Sequence, residues 1–534
     1  MYYSEYFHRQ LMNLLRICKN IFIPPKIQPF DFATQQAKGN GFSHNGQEYI
    51  HYSDLPYRDS AFFQLTGWQK IFLVLLVTAI TGSFLLNWHA SLILVLTVLT
   101  VLYFFDLLFN LTLIIRSFLH RPEFKVTKEE LLAVDRATLP FYTVFCPLYK
   151  EVSVLPQFIT AMTKLNYPKE KLEVMLLLEE DDVETIASVQ KLSLPAFLKV
   201  VIVPDSLPKT KPKALNYGLT LTKSEYIVIY DAEDVPEENQ LLKAVVLFQK
   251  LPKETICLQA KLSFYNPTQN LLTRVFTAEY SLWFDLVLTG LHSLNGPIPL
   301  GGTSNHFKTA VLRELGGWDP FNVTEDADLG IRLFKKGYRT AILDSVTLEE
   351  ANSNLFNWFT QRTRWIKGYI QTYLVHMRRP QSFIRRWNDP YLFVFQLVIG
   401  GKIASMLINP FMWLITAAYF LFRPVTGTLI ESLYPGSILY ISVFTLVFGN
   451  FLYLSYYMIG CYKKRFYRLC KFAFLVPFYW LGMSISAWIA LYESYAKPHY
   501  WSKTKHGLHL TDKKSMEYAE AVVGSELVDS KYSA

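Results

Sequence analysis

The sequence predicts an α/β domain placed between groups of membrane-spanning helices. Three observations carry this prediction. Short apolar runs alternate with helical patterns between residues 141 and 230, which is typical of a mostly parallel sheet with crossover helices. Long apolar segments with few charges stand on both sides of that block. Finally, 51% of the 534 residues are hydrophobic and only 18% are charged, a composition typical of membrane proteins.

The long apolar segments predict a transmembrane hairpin before the α/β block and further spans after it. A crossing takes about 20 residues, and the turn Asn87-Trp88-His89 separates the first two segments. The third segment could hold an interface helix plus a crossing, so the number of crossings stays open. Asp106 lies in the second segment and is either functional or an internal partner of Asn110. The five segments are Ile71 to His89, Ser91 to Ile115, Tyr391 to Phe422, Ile438 to Gly460 and Phe472 to Ile489.

Basic residues beside these segments predict the side on which the α/β block lies. The formal net charge is +9, and the cations concentrate next to the apolar segments. Under the positive-inside rule this pattern places the block in the cytoplasm, and it argues against nucleic-acid binding. Five scattered cysteines without metal-ligand spacing indicate neither a zinc site nor a disulfide framework. The basic clusters are Arg116, His120, Arg121, Lys125 and Lys128; Arg378, Arg379, Arg385 and Arg386; and Lys463, Lys464, Arg465 and Arg468.

The strand pattern places acidic residues at one edge of the predicted sheet. Ligands of open parallel sheets bind outside the carboxyl ends of the strands, so we expect a site there. The predicted strands are Tyr142 to Phe145, Leu172 to Leu178, Val200 to Val203 and Tyr226 to Tyr230, and the predicted helices are Glu151 to Leu165 and Lys213 to Leu221.

An acidic cluster, Asp231-Ala232-Glu233-Asp234, follows the last of these strands. Oxygen ligands at a strand end suit a hard divalent cation, Mg²⁺ or Mn²⁺, that shares its coordination with a diphosphate. Asp231 is the first candidate ligand, and the sequence leaves open whether Glu233 or Asp234 also reaches the ion. The alternative interpretation is a solvated acidic turn before Pro236.

Two further motifs follow this cluster. Thr324-Glu325-Asp326 begins a helical run, and one interpretation is a capped helix N-terminus, where the helix dipole favours acids. Farther along, Gln361, Arg364 and Trp365 stand at i, i+3 and i+4. On a helix this spacing puts an amide, a guanidinium and an indole on one face.

These motifs, in this order between membrane segments, resemble the membrane-bound family 2 glycosyltransferases of the cellulose, chitin and hyaluronan synthase superfamily. The resemblance covers roughly residues 138 to 380. It implies a GT-A fold, which is a Rossmann-like cytoplasmic domain, beside a transmembrane helical bundle. It also implies an inverting hexosyltransferase in which Asp326 is the general base. By the same match Gln361 belongs to the catalytic helix, Arg364 faces the diphosphate and Trp365 stacks on the acceptor sugar.

The resemblance implies a nucleotide site as well. The segment Pro147-Leu148-Tyr149-Lys150-Glu151 is similar to P-x-Y-N-E, with Lys150 in place of Asn. An ungapped match gives the base-contacting position to Glu180, with Asp182 as the alternative, and it points Lys213 towards the phosphates. The expected nucleotide contacts are Tyr149, Glu151, Glu180, Asp182, Lys213 and Asp231.

The acceptor side is implied by Gly301-Gly302-Thr303-Ser304-Asn305-His306, which resembles the segment that lines the acceptor channel of these enzymes. Small residues let the backbone approach a sugar closely. The segment Trp501 to Gly507 resembles the W-x-K-T-x-H-G ending of bacterial synthases and favours a cytoplasmic C-terminus. The expected acceptor contacts are Thr303, Ser304, Glu325 and Trp365.

The prediction is therefore an enzyme of the bacterial inner membrane that transfers sugar from a UDP-sugar to a growing β-linked polysaccharide. Its expected partners are the donor, a polysaccharide or lipid acceptor, membrane lipids and an accessory export or periplasmic subunit. Two alternatives stay open: a transferase that adds one sugar to a lipid, and an export or scaffold protein with an inactive domain. The predicted domains are an N-terminal cytoplasmic segment (1–67), a transmembrane hairpin (68–117), a GT-A domain (118–350), amphipathic interface helices (351–389), transmembrane or interface helices (390–496) and a C-terminal tail (497–534).

Overall fold

The computed structural model describes residues 28–29, 41–44, 46–119, 123–384 and 388–508. Some predictions concern residues outside these ranges. These residues are most of the first 40 with Cys18, the basic residues His120, Arg121, Arg385 and Arg386, and the end of the tail from residue 509.

The α/β domain is built on one mixed sheet of eight strands in the order β6-β5-β4-β7-β10-β9-β11-β8. The strands β6, β5, β4 and β7 run parallel to one another. β10 is antiparallel to both β7 and β9, and β11 is parallel to β9. The strands are β4 (Tyr142–Leu148), β5 (Leu172–Glu179), β6 (Leu198–Val203), β7 (Tyr226–Ile229), β8 (Val235–Pro236), β9 (Thr255–Phe264), β10 (Asn305–Lys308) and β11 (Arg339–Glu349).

The four predicted strands are confirmed, with ends that differ by a few residues. β4 and β5 read as continuous apolar runs because helices cover both faces of the sheet, and nearly all of their side chains are buried. A smaller antiparallel sheet lies ahead of the domain in the chain. It consists of β1 (Gln28–Pro29), β2 (Gly41–His44) and β3 (Gln47–Ile50).

Helices surround the sheet and form the apolar part of the molecule. The helices up to the end of the α/β domain are α1 (Gly67–Leu86), α2 (Trp88–Leu119), α3 (Lys128–Leu132), α4 (Leu155–Lys164), α5 (Val183–Gln190), α6 (Lys211–Leu221), α7 (Gln240–Lys250), α8 (Leu271–Leu282), α9 (Leu288–Ser293), α10 (Thr309–Glu314) and α11 (Glu325–Lys335). The later helices are α12 (Leu355–His376), α13 (Tyr391–Phe395), α14 (Lys402–Leu421), α15 (Arg423–Ser432), α16 (Gly436–Phe444), α17 (Asn450–Lys463) and α18 (Val476–Ala496).

Five helical stretches in the described residues are long and apolar enough to cross a membrane, as predicted. Several shorter helices join end to end to form them, so α13 and α14 share one stretch and α16 and α17 share another. The five stretches are Gly67–Leu86, Trp88–Leu119, Tyr391–Leu421, Gly436–Lys463 and Tyr467–Ala496.

The last apolar helix, α18, lies lengthwise against α12 instead of leading away from the α/β domain. At one end Trp358 Nε1 donates to the Tyr479 hydroxyl at 3.3 Å, and at the other Lys367 Nζ donates to Glu493 Oε2 at 3.1 Å. Both ends of α18 therefore contact α12, the helix that follows the α/β domain in the chain. The chain that follows α18 returns to the carboxyl end of the sheet.

Candidate active site

Five carboxylates meet at the carboxyl edge of the sheet and line one cavity. Asp231 and Glu233 come from the turn after β7, Glu325 and Asp326 from the start of α11, and Glu349 from the end of β11. The sequence analysis named the first four. Glu349 was missed, although an acid at the end of an apolar strand was the signal that identified Asp231.

Burial and mutual repulsion disfavour the charged forms of these acids. Burial raises the pKa of Glu325 to about 8 and that of Asp326 to about 6, and it raises the pKa of Glu349 well above its ordinary range. Burial therefore makes the carboxylate of Asp326 a stronger base than that of an ordinary aspartate.

The residues fit a divalent cation only if a ligand completes its coordination. In the described part of the chain, no group of three or more His, Cys, Asp or Glu side chains is arranged to hold a metal ion by itself. Mg²⁺ commonly uses one or two carboxylates together with substrate phosphates, and Asp231 and Glu233 can supply these carboxylates. The excess of buried negative charge at this edge favours such a cation.

Asp234 has a different position from its two neighbours. Its carboxylate accepts hydrogen bonds from the backbone N–H of Asp231, at 2.6 Å, and from the Thr303 hydroxyl. Its side chain is fully buried beneath the cavity wall. Of the two residues that the sequence left open, Glu233 is the one that faces the cavity.

Lys211, two residues before the predicted Lys213, faces the cavity beside the acids. Lys213 is fully buried, where its Nζ donates to Glu179 Oε2 at 2.7 Å. Lys211 Nζ donates to the Asp231 carboxylate and, at 2.9 Å, to the carbonyl of Gly302. Although burial opposes its charge, Asp231 raises the pKa of Lys211, which keeps the ammonium ionised beside the acids.

Tyr149 and Glu151, two of the predicted nucleotide contacts, line the cavity. Glu180 and Asp182, two others, instead accept hydrogen bonds from backbone N–H groups. Glu180 accepts from the N–H of Asp205 at 2.8 Å. Asp182 is buried and accepts from the N–H groups of Lys150 and Thr185.

Lys150 itself has φ of 55°, in the left-handed region that Asn and Gly tolerate best. A Lys at this point therefore carries a conformational cost that the Asn of the P-x-Y-N-E pattern would avoid. The hydrogen bond that the Lys150 N–H donates to the Asp182 carboxylate helps to hold this strained turn in place.

Helix α12 presents the predicted face to the cavity. Gln361, Arg364 and Trp365 all line it, and the Trp365 ring stacks near Tyr280 with centroids 6.4 Å apart. The side-chain amide oxygen of Gln361, Oε1, accepts no hydrogen bond from any described residue. The intervening Arg362 is structural: its guanidinium is buried and pairs with Glu279.

The same helix holds the acidic triplet in position. The Gln371 side chain accepts from the N–H of Val323 at 3.0 Å, and Asn322 donates to the Thr372 hydroxyl at 3.0 Å. A Cβ at Gly368 would lie 2.3 Å from the Thr324 hydroxyl, so only glycine lets α12 approach the triplet so closely.

The glycine segment forms the wall between the acids. A Cβ at Gly302 would lie 3.5 Å from Asp326 Oδ2 and 4.0 Å from Lys211 Nζ, so the backbone there leaves room for a ligand. Thr303 lines the cavity, whereas Ser304 is fully buried and donates to the Thr347 hydroxyl at 2.6 Å.

The chain after α18 closes the cavity from the other side. His506 Nδ1 lies 2.8 Å from Glu233 Oε1, and Lys503 Nζ lies 3.4 Å from Glu151 Oε1. Arg364 sits over the Trp501 ring, 5.2 Å from its centroid, and donates to the Thr504 hydroxyl at 3.3 Å. Sequence similarity singled out this segment, but its contacts with both acids were not predicted.

His506 and Glu233 stabilise each other's charged forms. Burial would lower the pKa of His506, but the Glu233 carboxylate outweighs burial and raises that pKa to about 9. Burial likewise opposes ionisation of Glu233, and the imidazolium outweighs it and lowers the pKa of that carboxyl.

Comparison with known proteins agrees with this geometry. Residues 140–368, which contain the five carboxylates that line the cavity at the sheet edge, match the family described as glycosyltransferase like family 2. The segment is a family 2 glycosyltransferase domain. It has a GT-A-like fold, and the five apolar stretches that are long enough to cross a membrane lie outside the matched residues.

Relatives of the glycosyltransferase include enzymes of two kinds. A probable glucomannan 4-beta-mannosyltransferase 7 of Oryza sativa subsp. japonica is 28% identical over 58% of this chain and 55% of that protein. A beta-monoglucosyldiacylglycerol synthase of Trichormus variabilis is 28% identical over 45% of this chain and 51% of that protein. The chain thus spans about half the length of each. A solved mannosyltransferase, PcManGT of Pyrobaculum calidifontis in complex with GDP-Man and Mn²⁺, superposes with a TM-score of 0.39 and 17% identity over 66% of this chain and 98% of that one.

The segment before α1 packs against three segments that surround the site. Ile50 N donates to the carbonyl of Leu207 at 2.8 Å, in the loop that leads to Lys211. Ser60 Oγ donates to Asp319 Oδ1 at 2.8 Å, in the loop that leads to Asp326.

The third contact joins this segment to the chain after α18. The Phe62 ring stacks on His499, with centroids 5.4 Å apart and the rings nearly parallel. Arg378 at the end of α12 donates to the carbonyls of Arg58, at 2.7 Å, and Ser60, at 2.9 Å. Residues 41–44 and 46–66 are therefore an integral part of the glycosyltransferase fold.

Proposed function

We propose that this protein is an inverting, metal-dependent glycosyltransferase that extends a β-linked polysaccharide from a UDP-sugar at a membrane. One observation carries the proposal. A single cavity of about 700 Å³ begins at Asp231 and Asp326, passes Trp365 and continues between the apolar helices as far as Thr100. An active site that opens into such a cavity has room for a product longer than one sugar.

The length of the cavity favours a polymer over a single transfer. Along α2 the lining residues run from Thr100 to Ile114, which corresponds to about 21 Å at a helical rise of about 1.5 Å per residue. The hydrocarbon core of a bilayer is about 30 Å thick. A cavity that follows one helix over most of that distance suits an extended chain of sugars.

The chemistry follows from the residues at the cavity's mouth. Asp326 takes the proton of the acceptor hydroxyl as that oxygen attacks the sugar carbon from the face opposite the nucleotide. Lys211 and Arg364 supply positive charge to the departing diphosphate. A divalent cation at Asp231 and Glu233 would add Lewis-acid stabilisation of the same leaving group. Trp365 offers the acceptor sugar an aromatic platform.

The path of the chain supports a cytoplasmic site with the segment after α18 on the same side. The first two apolar stretches form a hairpin, and His89 at its turn hydrogen-bonds to Ser432 at the end of α15, the short helix that follows the third stretch. The fourth stretch returns to the α/β domain, where Lys463 pairs with Glu123 at 2.6 Å. Since α18 lies along α12, the proposal has four crossings and one interface helix.

Product analysis tests the proposal directly. Purified full-length protein in lipid nanodiscs is incubated with radiolabelled UDP-glucose, UDP-N-acetylglucosamine or GDP-mannose, and products are sized after lipid extraction. We expect one UDP-sugar to give polymer that remains in the aqueous phase. Turnover of GDP-mannose alone would contradict the proposed donor class.

The single-transfer alternative is supported by the similarity to the glucosyldiacylglycerol synthase. It predicts a labelled lipid with one sugar and no aqueous polymer. The third alternative, an inactive scaffold, predicts no nucleotide release from any donor. The Asp326→Asn variant is the matched control, because its loss of activity separates turnover by this chain from a contaminant.

A further inference from the structure

A polar cluster lies among the membrane-spanning helices, away from the site described above. Lys402 Nζ of α14 lies 3.5 Å from Asp106 Oδ1 of α2, and the Tyr453 hydroxyl of α17 donates to the other oxygen of Asp106. Asn110 Nδ2 donates to the Tyr453 hydroxyl at 3.0 Å. The sequence analysis left the role of Asp106 open between function and a pairing with Asn110.

The cluster faces the cavity rather than the interior of a helix contact. Asp106, Lys402 and Tyr453 all line the cavity, and the side chains of Asp106 and Lys402 retain 20% and 38% of their exposure. Asp106 Oδ1 accepts no hydrogen bond from the described residues. An ionic pair inside a membrane is costly, and a pair that only joined helices would be expected to be closely packed and fully satisfied.

We propose that Asp106, Lys402 and Tyr453 form an intramembrane subsite that binds the hydroxyl groups of an uncharged glycan. The proposal rests on the proposed function, since it places the growing product in this cavity. Sugar hydroxyls both donate and accept hydrogen bonds. A carboxylate, an ammonium and a phenol together offer acceptors and donors for such groups.

The charges of the subsite define the class of ligand. Asp106 neutralises Lys402, so neither a phosphate nor a uronate gains a net attraction, and the carboxylate repels both. The neighbouring polar groups are neutral: the Tyr103 hydroxyl donates to Asn409, and both side chains line the cavity. Trp480 also lines it and provides an apolar face for a sugar ring.

Three conservative variants test the subsite in the full-length protein: Asp106→Asn, Lys402→Gln and Tyr453→Phe. The matched control is Arg423→Gln, which breaks the 3.9 Å ion pair with Glu431 outside the cavity lining. Product length and initial nucleotide release are measured together. We expect the mean product length to fall about fivefold, the scale of one lost hydrogen bond, while initial release stays within about twofold of the control.

A binding measurement separates this inference from the proposed function. Cellohexaose and mannohexaose are titrated without donor, and the quenching of tryptophan fluorescence is followed. We expect saturable quenching in the wild type and about fivefold weaker binding in Asp106→Asn. If the wild type transfers only one sugar, the proposed function fails while this titration still tests the subsite.

The inference is overturned if the three variants match the control in product length and in oligosaccharide affinity. It is also overturned if the wild type binds neither oligosaccharide. The exchange Asp106→Lys with Lys402→Asp guards against misfolding, because it keeps an ion pair between α2 and α14. A folded exchange variant with wild-type binding would reduce the cluster to a helix contact and contradict the subsite.

Discussion

The imidazole of His506 lies 2.8 Å from the carboxylate of Glu233, although three of the five apolar stretches separate these residues in the chain. The segment after α18 therefore completes a site that begins at the end of β7. Its charge is part of the electrostatic balance there, since Asp231, Glu325, Asp326 and Glu349 lie at the same edge.

The first prediction concerns this contact. His506→Ala removes the cation beside Glu233 and loosens the closing segment, so we expect the donor KM to rise about tenfold, the scale of one charge-assisted hydrogen bond. The matched control is Lys505→Ala, because the described hydrogen bonds of Lys505 to Asn357 use only its backbone. Equal KM values in the two variants would show that the contact is incidental.

The second prediction concerns the base. Asp326→Asn keeps the shape of the side chain but cannot accept the acceptor's proton, so we expect turnover to fall at least ~10²-fold. UDP binding, measured by calorimetry, should stay near that of the wild type. Near-normal turnover in a folded variant would remove Asp326 from this role.

The third prediction is the pH dependence of the same group. The carboxylate is the active form, and burial raises its pKa to about 6. Activity should therefore be retained above that pH and lost as the pH falls through about 6. The acid limb is sought in kcat/KM, which reports the free enzyme. A profile that stays level down to pH 4.5, well below about 6, would contradict the assignment.

The fourth prediction concerns the metal. Chelation with EDTA should abolish transfer, and Mg²⁺ or Mn²⁺ should restore it, because only a cation offsets the buried acids when a diphosphate arrives. Asp231→Asn should weaken Mn²⁺ binding, followed by electron paramagnetic resonance in the presence of UDP. Full activity in thoroughly chelated protein would exclude a metal role for Asp231.

The fifth prediction concerns Trp365. Its ring lines the cavity beside Tyr280, and stacking on a sugar contributes about 1 kcal/mol beyond burial. Trp365→Ala should keep UDP affinity but yield little long product, while Trp365→Phe should keep part of it. The alternative role of Trp365 is a membrane-interface anchor. Long polymer from folded Trp365→Ala protein would rule out the platform.

Local pattern was enough to predict four of the strands, the apolar stretches and the acidic cluster that follows β7. The apolar runs of β4 and β5 are continuous because both faces of the sheet are covered. Asp231 could be found because it follows an apolar strand whose pattern is visible in the chain, whereas the role of Asp326 was implied by the resemblance to family 2 glycosyltransferases.

The roles of Lys211, Glu349, His506 and residues 41–44 and 46–66 were decided only by tertiary structure. A one-dimensional pattern shows which residues could face a site, but not which neighbour reaches it first. Lys213 matches the motif, yet Glu179 binds it in the core and leaves the cavity to Lys211. Likewise α18 is apolar enough to cross a membrane, but in the structure it packs lengthwise against α12. Burial and pairing between residues far apart in sequence make these choices, because their free energy depends on partners that no local window contains.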